Sequence, residues 1–224
     1  MEKSHTDQAL SKLHELGAHQ LQHLNGDLAQ HLKGTYELLR EWGNSEPVCL
    51  AGLFHAVYGT AGFPAALLSL DKRSDIAAVI GDEAEELVYL YGACDRDYTY
   101  SKLISHEEPN YRNRFTQESF GLPRLLLASF CELTLANELE IVLQSHKARE
   151  DCRAFFVPLF ASFEGLVSPT AFEAYLTAFR IDASPPQRPC LSLRGSVRSI
   201  SLSLVQKISH VKKTLWAKLD ASKL

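Results

Sequence analysis

The stretch HLKGTYELLREWGNSEPVCLAGLFHAVYGT, residues 31–60, decides how this chain folds. Apolar residues recur through it at steps of three and four, the spacing that gives an α-helix one buried face. Asp27 stands where a cap would open the first helix, which runs through Leu38, Leu39 and Trp42 to a stop at Gly43-Asn44. Pro47 suits the first turn of a second helix. Its run of Val48, Leu50, Ala51, Leu53 and Phe54 is apolar nearly all round and belongs in a core. Each helix carries a histidine, His31 and His55, with one turn between them, so an antiparallel pair would bring the two face to face. A neutral imidazole is a good ligand for a divalent ion, but a site needs three or four donors converging from different helices.

Outward from this pair the pattern stays helical. An amphipathic segment covers Ala9 to about Leu24 and is interrupted at Asn25-Gly26. His19, His23, Asp27 and His31 share a step of four, and with that interruption they read as a solvated face. Gly59, Gly62 and Pro64 break the second helix, and Asp82-Glu83 forms an acidic first turn for a helix carrying Leu87, Val88, Leu90 and Tyr91. From Asp95 to Gly121 charges and aromatics alternate without clear period, as in a long loop with short helical pieces over a pocket. Leu125 to Leu143 returns as a long helix with Leu126, Phe130, Leu133, Asn137 and Ile141 at helical spacings, and it also bears Glu132. Residues 151–180 hold two more helices, the second capped by Ser168 with Pro169 at its first position. Strand signals are scarce, so the fold class read here is all-α.

Residues 5–182 form the helical domain in this reading, and residues 183–194 a proline-rich linker containing SPPQRP. Residues 195–224 form a basic amphipathic helix with Ile200, Leu204, Ile208, Val211, Leu215 and Leu219 along one stripe. That stripe suits packing on the domain itself or on a second copy, as in a homo-oligomer.

The composition, 46% hydrophobic over 224 residues, supports a full core. No run of eighteen apolar residues occurs and the start MEKSHTDQAL is polar, so the expectation is a cytoplasmic chain without a membrane span or signal peptide. Cys49, Cys94, Cys131, Cys152 and Cys190 are odd in number and widely spaced, which suits reduced thiols. The net charge of -4 hides an asymmetry: residues 185–224 carry eight Lys or Arg against Asp220 alone, and the rest is acidic. Beside an acidic body a basic tail points to docking on the protein or a partner, and away from nucleic acid. No GxSxG, P-loop, GxGxxG or HExxH appears, so nucleophilic and nucleotide-binding readings lack support.

From His31 to Arg96 the chain is similar to the HD-domain superfamily, and within it resembles the hydrolase domain of the RelA/SpoT-type alarmone enzymes. His31 matches the first family histidine, LFHAVYGT at 53–60 occupies the HDxxED position, and IGDEAEELVYLYGACDR at 80–96 looks like the following helix. From His23 to Arg96 it looks closer still to an uncharacterised HD-like group marked by HLxGT, AGLFHxxYGT and CDR. The resemblance implies an HD-like helical bundle and a site for a small anionic molecule. The departures are chemical: Ala56, Gly59 and Thr60 stand where the family has a ligand aspartate and a Glu-Asp pair. Alarmone hydrolysis by the family mechanism is therefore not expected.

Three readings follow, and none assigns a catalytic residue. One is a remodelled metalloprotein in which His31, His55 and Glu132, joined by His23 as a replacement ligand, hold a single divalent iron, manganese or zinc ion for hydrolysis or oxidation. Glu132 enters as the nearest counterpart of a late family aspartate, with Asn137 one residue from the expected offset. The second is a metal-free cavity lined by His31, His55, Tyr58, Asp95 and Arg96, with Arg96 clamping a carboxylate or phosphate of a small-molecule ligand, or else forming a structural ion pair with Asp95. The third is an interaction module built on the C-terminal helix.

Overall fold

The computed structural model describes residues 5–23 and 26–181, so the linker and C-terminal helix expected at 183–194 and 195–224 lie outside the described residues. Within them the chain is all-α, with nine helices and two short hairpins. The first helix, α1 (His5–Glu15), is followed by a turn of 3-10 helix at Ala18–Gln20. The expected amphipathic run therefore ends earlier than its pattern suggested, because Gly17 takes a left-handed φ of 78° and turns the chain. Strands β1 (Gln22–His23) and β2 (Gly26–Asp27) then pair antiparallel, His23 opposite Gly26.

Helix α2 (Leu28–Glu41) begins as its cap predicts, Asp27 accepting from the Gln30 amide at 2.9 Å. It ends where Gly43, at φ 77°, lets the amide of Asn44 reach back to the Leu39 carbonyl. Helix α3 (Glu46–Phe54) carries Pro47 in its first turn and buries every residue from Val48 to Phe54. A short helix that the spacing did not announce, α4 (Arg73–Ile80), precedes α5 (Asp82–Ala93).

The polar insert is better ordered than its composition suggests. It forms α6 (Arg96–Ser105) and a hairpin of β3 (Tyr111–Arg112) with β4 (Ser119–Phe120). Arg114 Nε donates to the Gly92 carbonyl at 2.7 Å and ties the hairpin region to α5. Helices α7 (Arg124–Gln144), α8 (His146–Ala161) and α9 (Pro169–Phe179) complete the bundle, with Ser168 capping α9 through the Ala171 amide.

Helix α7 is the axis. It packs against α2, α3, α5, α8 and α9, and every residue from Phe130 to Val142 is buried. Helix α2 packs on both α3 and α7, so its histidine-bearing face lies between them. Helices α2 and α3 pack closely at Gly52, where an added Cβ would collide with Leu39. The α7 stretch also buries Glu132, Asn137, Glu138 and Glu140, and buried polar groups of this kind must each find a partner. Those partners define the site.

Candidate functional site

His31 comes from the first turn of α2 and is 4% exposed. Its Nδ1 lies 2.5 Å from Glu140 Oε2 and its Nε2 lies 3.0 Å from Asn137 Oδ1, both on α7. Thr35 Oγ1 donates to the His31 carbonyl at 3.0 Å, fixing the backbone from which the ring projects. His55 follows the last turn of α3 and donates Nδ1–H to the Gly52 carbonyl at 2.8 Å, which makes Nε2 the lone-pair nitrogen. The His31 and His55 rings meet edge to face with centroids 5.1 Å apart. The antiparallel helix pair thus brings the two histidines together.

His23 joins them. The hairpin of β1 and β2 reverses the chain, so that the His23 ring stacks on His31 with centroids 4.0 Å apart and planes within 12°. His19 instead is exposed and stacks on His14, so the step of four splits between solvent and site at the hairpin.

Arg96, the first residue of α6, closes the other wall. Its Nη1 donates to Glu138 Oε1 at 3.1 Å and its Nη2 to the Tyr91 hydroxyl at 3.1 Å. Asp95 is not its ion-pair partner: it caps α6 by accepting from the Tyr98 amide at 3.2 Å. Tyr58 is turned away as well, donating to Glu85 Oε1 at 2.8 Å beside the Arg73–Glu85 ion pair. Of the three ligand-binding residues expected from sequence, only Arg96 faces the cleft.

Glu132 lies elsewhere too. It accepts from the backbone amide of Ser168 at 2.5 Å and from Asn44 Nδ2 at 3.5 Å, so it anchors the start of α9 and the loop after α2. The acid that α7 offers to His31 is Glu140, two helical turns further on. A signal for it was present: Asn137-Glu138-Leu139-Glu140 places three polar residues within four positions of a largely buried helix, where each needs a partner.

Together these residues line a small cleft that opens to solvent. Its walls are His23, His31, His55, Arg96, Asn137 and Thr60, with Leu28, Ala56, Gly62, Phe63 and Ile141 supplying apolar surface. No aspartate or glutamate lines it. Burial holds the His55 imidazole well below its ordinary pKa, and electrostatic repulsion from the His31, Arg96 and His23 side acts in the same direction against the Gly52 hydrogen bond.

The three sequence motifs have physical roles. In HLxGT, His31 faces α7, Gly34 leaves room for Glu140, and Thr35 holds the His31 carbonyl. In AGLFHxxYGT, Gly52 permits the α2–α3 contact and its carbonyl orients His55, while Tyr58 binds Glu85. Gly59 makes a left-handed turn at φ 69°, where a Cβ would meet the Pro64 carbonyl oxygen at 2.9 Å. Thr60 then closes that turn through the Phe63 amide. In CDR, Cys94 is buried, Asp95 caps α6 and Arg96 reaches the cleft.

Residues 12–96 match the family described as a domain of unknown function (DUF6817), a match covering under half of the chain. No curated protein and no solved structure matches it. No helix among the described residues is long and apolar enough to cross a membrane.

Proposed function

We propose that the chain is an HD-like helical protein whose cleft binds a small anionic molecule without a resident metal. The observation that supports this most is the composition of the walls: three imidazoles, a guanidinium and a carboxamide, with no carboxylate among them. Such a surface offers the Arg96 guanidinium and the Asn137 carboxamide to a phosphate or carboxylate, while His55 Nε2 faces it as a lone pair. It offers a divalent cation no anionic ligand and places Arg96 beside it. Arg96 is held rigidly by Glu138 and Tyr91, and His55 presents a neutral Nε2 able to take a proton from a bound group. The free thiols of Cys49, Cys94 and Cys131, all buried, fit a reducing compartment, in keeping with a cytoplasmic setting.

One observation favours the metal reading as a second. His31 and His55 each have Nδ1 engaged by an oxygen, of Glu140 and of Gly52, the way metal-binding histidines are oriented by their surroundings. His31 Nε2, Asn137 Oδ1 and His55 Nε2 would be the donors, an electrically neutral set. Thermal-shift measurements separate the two. Phosphate or citrate should raise the melting temperature of metal-free protein, and His55→Asn should remove the shift. Stabilisation by Fe(II), Mn(II) or Zn(II) alone, with none from anions, would replace the anion reading by the metal one.

A further inference from the structure

Gly34 lies one turn after His31 in the middle of α2, where glycine weakens a helix and so needs a reason. A Cβ at that position would stand 2.8 Å from Glu140 Cγ and 3.0 Å from Glu140 Oε1. The Glu140 side chain therefore reaches His31 by lying against the α2 backbone at the one residue without a side chain. Glu140 does not line the cleft. It sits behind His31 in a second, smaller hollow shared with Asp27, Gln30 and Gln144, and its Oε1 accepts from Gln144 Nε2. His31 and the His23 ring stacked on it line both spaces, with His31 Nδ1 toward Glu140 and Nε2 toward Asn137.

We propose that Gly34 and Glu140 are positioning residues for His31. The missing Cβ at 34 admits the Glu140 carboxylate, which fixes the plane of the His31 ring through Nδ1–H and leaves Nε2 against the Asn137 carboxamide on the cleft side, where a ring protonated at Nδ1 alone accepts from the Asn137 NH2 group and a doubly protonated ring donates to Oδ1. This rests on the cleft being a ligand site, but the ring itself can be observed without any ligand. Long-range proton–nitrogen spectra of the full chain report the tautomer and hydrogen bonding of each imidazole, with His31 assigned by its loss in His31→Gln. Circular dichroism confirms that each variant is folded.

Gly34→Ala and Glu140→Ala should each move the His31 Nδ1 signal toward that of a solvent-exposed ring and weaken inorganic phosphate binding at least tenfold. In the Glu140→Ala background Gly34→Ala should change neither readout further, because the carboxylate it displaces is already gone. A folded Gly34→Ala that leaves the His31 signals and phosphate affinity unchanged overturns the proposal, as does an effect that adds fully to Glu140→Ala. Ring signals that respond as stated in a protein that never binds phosphate would support the positioning role while removing the anion reading.

Discussion

Replacing Gly52 by alanine tests the contact that brings the two histidines together. The new methyl would fall within the contact radius of Leu39 Cδ1 and 3.6 Å from Thr35 Cγ2, both of them fully buried on α2. Alanine favours the helix over glycine by about 1 kcal/mol. Forcing an extra methyl into a packed interface costs about 1–3 kcal/mol. The net expectation lies between no change and a loss of about 2 kcal/mol, the steric cost less the helix gain. Leu39→Ala alone opens a cavity and should cost about 2–5 kcal/mol. In the double variant the obstructing Cδ1 is absent and the methyl introduced by Gly52→Ala fills part of the vacated space. There Gly52→Ala should be neutral, or stabilising by up to ~1 kcal/mol from its helix preference. The coupling between the two changes is then about 1–3 kcal/mol, within the range expected for residues in contact. Urea unfolding followed by far-ultraviolet circular dichroism measures all four proteins. Additivity within about 0.5 kcal/mol would show that α2 and α3 do not meet at this point and would refute the reasoning.

Glu132→Gln should destabilise the fold by roughly 1–3 kcal/mol through weakened binding of the Ser168 amide, yet leave phosphate affinity and metal content at wild-type values; a change in either would return this residue to the site. His5 joins the start of α1 to Glu46 and to the Val79 carbonyl, and those hydrogen bonds raise its pKa above 6.5. A raised pKa stabilises the fold below the unfolded value and the benefit disappears as pH rises through the folded one, so hydrogen-exchange protection of α1 should fall from pH 6 to pH 8 in wild type and not in His5→Ala. Being largely exposed, this contact is worth only a few tenths of a kcal/mol. Burial pushes the thiol of Cys49 up to about 11 and that of Cys94 up to about 12, so at pH 8 a thiol reagent should reach neither until the protein is unfolded, and rapid labelling of either in native protein would contradict the packing described here.

Helix boundaries were legible wherever a cap or a stop was written in residues of one kind. Asp27, Gly43, Pro47 and Ser168 act as their chemistry requires. The meeting of His31 with His55 followed from two apolar helices joined by a short turn. What could not be read was which residue of a third, distant helix would face them. Glu132 and Glu140 are both acids on α7 two turns apart, and only the relative placement of α2 and α7 decides between them. The insert from Asp95 to Gly121 lacked a period because backbone hydrogen bonds and side-chain ties such as Arg114 to Gly92 hold it, rather than an apolar stripe. His23 shows the same lesson from the other side. It shares no helical face with His31 because the β1–β2 pairing stands between them, and that pairing is what stacks the two rings.

The most direct measurement is isothermal titration of inorganic phosphate into the full chain after chelation of all metal, in low-chloride buffer. The account predicts saturable binding of one phosphate per chain, lost in His55→Asn while the fold is retained. Absence of binding to the metal-free chain, with binding restored by one equivalent of a divalent ion, would contradict it.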